Sequence, residues 1–177
     1  WRGKSITIQD VFEAVGAHAR GGLSDEELTS IENLACPGAG ACGGQFTANT
    51  MAMAFSVMGL SPIGLNEIPA MDSRKDYAAH RVGALVMQAL EANITARSFL
   101  TPTAFRNAIV AVCATGGSTN AVLHLLALAR EAGVDLPLEL FDTISCEVPL
   151  IADLKPFGRY VATVFEEAGG VALLCKK

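Results

Sequence analysis

The sequence predicts a helix-rich fold with a few short strands belonging to a sheet completed elsewhere. Three observations carry that expectation. Apolar residues recur at helical spacing through most of the 177 residues, in segments opened by capping residues and closed by glycine or proline. Strand-like stretches are confined to short pieces after Pro137. Charged residues make up only 18% against 51% hydrophobic, with a mean hydropathy of +0.37, where soluble domains average about 25% charged. A chain with so little charge is expected to have part of its surface covered by other protein.

The elements follow in order. Thr7 is placed to cap a helix through QDVFEAVGAHAR, which ends at Gly21-Gly22. Ser24 and Glu27 form a capping box for DEELTSIENLA, whose Leu28, Ile31 and Leu34 share a face, and Pro37 stops that helix. After a glycine-rich loop, FTANTMAMAFSVMGL reads as a helix apolar nearly all round, hence buried. Residues 61–69 form a proline-bounded loop. Ser73 and Asp76 are placed to cap YAAHRVGALVMQALEAN. Thr101-Pro102 opens AFRNAIVAVCAT with a capping hydroxyl and a proline at the first helical position. A turn at Gly116-Gly117 leads into STNAVLHLLALAREAG, which ends at Gly133. Beyond Pro137, TISCEVPLIADL contains a β-like piece, and EEAGG followed by VALLCKK reads as a helix, a turn and a last strand. No internal repeat or low-complexity linker sets a boundary inside the chain.

Composition excludes several classes of function. A formal net charge of −5 and a pI near 5.1 disfavour a nucleic-acid partner, whose phosphates attract a basic face. High apolar content with low charge argues against disorder. Two stretches, Asn33 to Asn66 and Asn107 to Ala129, carry no Asp, Glu, Lys or Arg. Glycines, prolines and the polar run TGGSTN interrupt them, so neither is an unbroken membrane span. Uncharged segments rich in Gly, Thr and Asn fit better around a buried polar site. No signal-peptide core opens the chain, and a start at Trp1 reads as an excised segment. Five cysteines without a secretion signal point to free thiols in a reducing compartment. Their spacing to one another and to the histidines makes no zinc site.

Two motifs carry candidate chemistry. Gly38-Ala39-Gly40-Ala41-Cys42-Gly43 matches GxGxxG letter for letter, but a helical segment precedes it, and no βαβ unit with a ribose-binding acid follows. A dinucleotide site is therefore not expected. What remains is a glycine loop presenting Cys42 at the start of a buried helix, where backbone amides and the helix dipole favour a thiolate. Cys42 is then a nucleophile, a ligand to an iron–sulfur cluster whose other ligands lie elsewhere, or an inert packed thiol. No His and acid stand where they would support the nucleophile. The second motif, ATGGSTNAVLHL, puts Ser118, Thr119 and Asn120 at a helix start, suited to an anion or to an ordinary cap. His124, among leucines, and Cys113, on an apolar face, read as core.

The runs ACPGAGACGGQFTANTMAMAFSVMGLSPIGLNEIPA, ITIQDVFEAVGAHARG, ATGGSTNAVLHLLALAREAGVDL and PLIADLKPFGRYVA resemble the dihydroxy-acid and phosphogluconate dehydratase family, from about Ser5 to Gly170. PGAGACGG followed by TANTM is most similar to its branched-chain amino acid branch and to the [2Fe-2S] type, with the sugar-acid dehydratases of the same family as the alternative. One departure is Gln45, where methionine is common. The resemblance implies that residues 1–177 are part of the N-terminal, cluster-binding domain of a larger α/β enzyme. It implies a hydro-lyase that converts 2,3-dihydroxy-3-methyl acids to 2-oxo acids in valine and isoleucine synthesis, with the cluster as Lewis acid, Mg²⁺ on the substrate and a serine alkoxide as base. Cys42 matches one of three cysteine ligands to the cluster iron, and Cys36 matches a position with no ligand role. The other two cysteines, the Mg²⁺ ligands and the serine fall outside these residues, so no catalytic residue is expected here and the segment alone is expected to be inactive. Gly43, Gly44, Thr47, Ser118 and Thr119 are expected along the pocket wall. The expected partners are the dihydroxy acid, the remainder of the parent chain and a second subunit of a cytoplasmic, bacterial-type homodimer, with no nucleic acid or membrane. A different class of reading is a non-catalytic helical module that uses its apolar faces for assembly.

Overall fold

The computed structural model describes residues 1–177 except Pro37 and Ala41. The described residues form helices α1 (Ile8–Ala19), α2 (Asp25–Ala35), α3 (Thr47–Met58), α4 (Arg74–Glu91), α5 (Pro102–Ala114), α6 (Asn120–Ala132), α7 (Glu139–Glu147), α8 (Ala162–Glu167) and α9 (Gly170–Leu174), with a 3₁₀ turn at Ala96–Phe99. Local signals explain most of the boundaries. The Glu27 amide donates to Ser24 Oγ, and the Ser24 amide to the Glu27 carboxylate, closing the capping box. The Thr101 hydroxyl accepts from the Ala104 amide, with Pro102 at the first helical position. Gly59 and Gly133 close α3 and α6 in the left-handed conformation that favours glycine. Ser73 does not cap α4: its backbone is already helical, and Asp72 Oδ1 accepts from the Arg74 amide instead. The proposed stop at Pro37 lies outside the described residues.

Helix α3 sits at the centre, against α5, α6 and α9, while α5 also packs on α6 and α7. The main core joins Ala54 and Met58 of α3, Phe105, Ala108 and Ile109 of α5, Leu125 and Ala129 of α6, and Ile144 of α7. Alanines at these contacts let the helices approach closely, and Phe105 and Leu125 fill the space between. A smaller cluster of Met53, Ala111, Ala114, Val171 and Leu174 seats α9 on the other side of α3 and α5. Helices α1 and α2 pack as a pair.

The structure corrects the expected strands. Among the described residues there is no strand, only an isolated parallel bridge between Leu154 and Tyr160. The TISC stretch, with Cys146, is in α7 with Ile144 turned into the core. Within VALLCKK, Val171 and Leu174 are buried while Leu173 is exposed. That is a spacing of three, so the segment satisfies its apolar residues as a helical turn rather than by alternation. His124 is exposed rather than part of the core, because its neighbour Leu125 takes the buried position and the ring falls outside it. In α4 only Ala78 is buried; Tyr77 is 67%, Val86 63% and Leu90 70% exposed.

Candidate cofactor-binding site

The cysteine turn is built by hydrogen bonds that converge on residues 42–45. Asn49, in the first turn of α3, donates through Nδ2 to the carbonyls of Cys42 (3.0 Å) and Gly44 (2.9 Å). The Gly43 carbonyl accepts from the Ala162 amide at the start of α8, and the Gln45 amide donates to the Lys155 carbonyl at 2.7 Å. The Gln45 carbonyl accepts from the Thr50 hydroxyl at 3.0 Å. Four positions of the turn are thus tied to α3, α8 and the 155 loop. The Cys42 thiol donates to the Gly44 carbonyl across 3.3 Å and is partly exposed. Cys42 lies five residues before α3 rather than on its first turn, so the thiol points to a carbonyl of its own turn.

The second motif meets the same helix. Gly116, with φ of +57°, reverses the chain after α5. The Ser118 amide then donates to Thr50 Oγ1 at 3.0 Å, and Asn120 Nδ2 donates to Thr47 Oγ1 at 2.8 Å. The hydroxyls of Thr47 and Ser118 stand 3.5 Å apart. Gln45 is buried, with Nε2 donating to Met53 Sδ at 3.3 Å and to Thr115 Oγ1 at 3.5 Å. The Gln45 amide is therefore satisfied by a sulfur and a hydroxyl.

Cys42 borders two cavities. One, of about 460 Å³, is lined by Cys36, Gly40, Cys42, Asn49 and Glu67 among others. The other, of about 490 Å³, is lined by Phe12, Cys42, Phe46, Thr47 and Ser118 among others. Of the residues expected on a pocket wall, Gly43 lines the first and Thr47 and Ser118 the second. Gly44 is buried behind the turn. Thr119 is exposed and is not among the described lining residues of either cavity. Asn49 and Thr50 were not singled out by sequence reasoning. Their signal was polar residues, TANT, in the first turn of an otherwise apolar helix.

The donor set does not make a complete metal site. Among the described residues no three His, Cys, Asp or Glu side chains gather to hold a metal ion. The partly exposed Cys42 thiol stands on a pinned turn, beside Gly43, where an added Cβ would meet nothing within 4 Å. That open side leaves room for a bulky inorganic group whose other ligands come from elsewhere. Of the other cysteines, Cys36 is exposed and lines the first cavity with Cys42, and Cys146 is exposed in α7. Burial pushes the Cys113 thiol up, and burial with the nearby Glu67 carboxylate pushes Cys175 up, both disfavouring thiolate. Before α4, hydrogen bonds from Arg74 hold the Asp72 carboxyl down at about 2. Arg74 also pairs with Glu166 of α8 at 3.0 Å.

The chain is similar to proteins whose names state a function. It is 58% identical over 177 residues to a dihydroxy-acid dehydratase of Roseiflexus castenholzii, and 56% identical over 177 residues to one of Thermus thermophilus. It is 53% identical over 174 residues to one of Koribacter versatilis. The first two alignments cover 100% of this chain and the third 98%, but they cover only 32%, 32% and 30% of those relatives. The chain thus spans about a third of their length. The family model described as "Dihydroxy-acid/6-phosphogluconate dehydratase N-terminal" matches residues 2–177, which include the Cys42 turn, α3 and the Gly116–Asn120 turn, and the chain belongs to that family.

Proposed function

We propose that this chain is the part of a dihydroxy-acid dehydratase that supplies one thiolate, Cys42, to a [2Fe-2S] cluster and one wall of the substrate pocket. The observation that carries the proposal is the Cys42 turn itself: a partly exposed thiol between two cavities, with the backbone that follows it held at two carbonyls by Asn49. The overall reaction removes the C3 hydroxyl and the C2 proton of a 2,3-dihydroxy-3-methyl acid as water, and the resulting enol becomes the 2-oxo acid of valine or isoleucine synthesis. A cluster bound through Cys42 supplies Lewis acidity towards the leaving hydroxyl. The chain's own residues bind and orient. Asn49 fixes the Cys42 and Gly44 carbonyls, so that the backbone carrying the thiol is held in place while the sulfur turns away from the Gly44 carbonyl as it gives up its proton. Thr47 and Ser118 place hydroxyls beside it, within reach of a polar substrate group in the second cavity. The Mg²⁺ ligands, the remaining cluster ligands and the proton-abstracting base come from outside these residues, and residues 1–177 alone are inactive because such groups act as a unit.

The apolar face of α4, with Val82, Val86 and Leu90 uncovered at helical spacing, fits a chain that is continuous with a larger α/β domain and with a homodimer partner. No helix among the described residues is long and apolar enough to cross a membrane. The test uses the full-length protein, purified anaerobically and assayed for iron, sulfide and visible absorption. Cys42→Ser is expected to lose the cluster absorption and the conversion of dihydroxy acid to 2-oxo acid, while Cys36→Ser keeps both. Retention of iron and turnover by Cys42→Ser would overturn the proposal.

A further inference from the structure

Resting on the reading of Cys42 as a cofactor ligand, we propose that Thr50 is a positioning residue that holds the Cys42 turn and the Gly116–Asn120 turn in one register. Thr50 is fully buried in α3. Its hydroxyl donates to the Gln45 carbonyl at 3.0 Å and accepts from the Ser118 amide at 3.0 Å, across 68 residues of sequence. A hydroxyl has one proton to give and can accept at the same time, so a single atom ties both turns. Both turns have further anchors. Residues 42–45 are also held by Asn49, Ala162 and Lys155. The Gly116–Asn120 turn is also held by Asn120 Nδ2 on Thr47 Oγ1 and by the Gly117 amide on the Val112 carbonyl, while the Ser118 amide between them has Thr50 as its partner.

The packing around the hydroxyl fits this role. An added Cβ at Gly117 would stand 3.0 Å from Thr50 Cγ2 and 3.2 Å from Oγ1. Contacts that close are rare between real side chains, so glycine at 117 is what allows the turn to reach the hydroxyl. Valine at position 50 would keep the shape and remove both bonds, leaving the Ser118 N–H and the Gln45 C=O short of a partner where water has little access. The Ser118 side of the second cavity would then shift relative to Cys42, while the cysteine turn stays on its other three anchors.

The experiment measures hydrogen exchange at the Ser118 amide, thiol content at Cys42 and steady-state kinetics in the full-length protein, for wild type, Thr50→Val and Thr50→Ser. In wild type the Ser118 amide is protected. Thr50→Val speeds its exchange by roughly fivefold to tenfold, the factor given by loss of an ordinary hydrogen bond. The same variant raises KM more than it lowers kcat and keeps its iron content and apo-protein Cys42 alkylation rate, whereas a general loss of stability would change all of them together. Thr50→Ser restores protection and KM. A Ser118 amide that exchanges like an open loop in wild type would overturn the proposal, and that measurement needs no variant to fold. Protection and KM in Thr50→Val equal to wild type would overturn it as well. Failure of the cofactor reading looks different: Cys42→Ser would keep its iron whatever Ser118 does.

Discussion

The Asn49 side chain donates to the Cys42 carbonyl at 3.0 Å from seven residues further along the chain, and to the Gly44 carbonyl at 2.9 Å with the same nitrogen. One amide therefore clamps the 42–43 and 44–45 peptide groups, which follow the candidate ligand in the chain. Removing it should loosen the turn without touching the sulfur. Asn49→Ala is expected to cost about 1–3 kcal/mol, the penalty for leaving sheltered acceptors without a donor, with lowered iron occupancy. Asn49→Asp should be worse on both counts, because a carboxylate would face two carbonyl oxygens. Denaturant unfolding and iron analysis of the two full-length variants check this ranking, and an aspartate variant as stable as wild type would contradict it.

Helix ends were legible wherever the signal is local. Ser24 with Glu27, Thr101 with Pro102, and the glycine at 133 act within one turn of chain, and the structure uses each as the residues suggest. At α4 the same logic favoured Ser73, yet Asp72 reaches the first free amide because Ser73 has already turned helical. VALLCKK was misread because a short apolar run carries no period until its contacts are known, and Val171 and Leu174 reveal theirs only against Met53 and Ala114. The site divides similarly. Cys42 and its glycines were visible as a motif, whereas the bonds from Thr47 and Thr50 to residues 118 and 120 span about seventy residues and have no local signature.

The two glycines after Cys42 should respond oppositely to alanine. At Gly43 an added Cβ meets nothing within 4 Å, so Gly43→Ala should leave the stability of the apo-protein within about 0.5 kcal/mol. It should lower iron occupancy if that space receives a cluster. At Gly44 the added Cβ stands 3.0 Å from the Lys155 carbonyl oxygen and 3.1 Å from the Phe46 ring. That oxygen is already engaged by the Gln45 amide, so it cannot retreat freely. Gly44→Ala should cost about 1–3 kcal/mol by overpacking. Thermal unfolding of the two variants without iron separates the effects.

Neighbouring leucines of α6 offer a test of the packing. Leu125 is 0% exposed and lies among α3, α5 and α7, while Leu123 is 67% exposed. Leu125→Ala should destabilise by about 2–5 kcal/mol, since removing buried carbons leaves a cavity that the surrounding helices close only in part. Leu123→Ala should change stability by less than about 0.5 kcal/mol. Equal midpoints for the two variants in a urea titration would show that α6 presents a different face to the core.

The pair Asp72–Arg74 predicts a specific acid response at the start of α4. Arg74 donates to Asp72 through Nε at 2.9 Å, Nη2 at 2.6 Å and its backbone amide at 2.8 Å. These bonds favour the carboxylate and take the Asp72 pKa from 3.8 to about 2. The sign follows from linkage: with the folded value depressed, the stabilisation is fully present above the unfolded pKa of about 4. It is lost as pH falls from there towards 2, where the folded carboxyl takes up its proton. Both side chains are partly exposed to solvent, so salt should weaken the charge component. A carbon-13 titration of the Asp72 carboxyl should show a midpoint near 2 in wild type, moving back towards 3.8 in Arg74→Gln. Because Arg74 also reaches Glu166 of α8, that variant should free α8 locally, read as faster amide exchange over residues 162–167. A wild-type midpoint near 3.8, unmoved by the substitution, would mean that Arg74 does not hold Asp72 in solution.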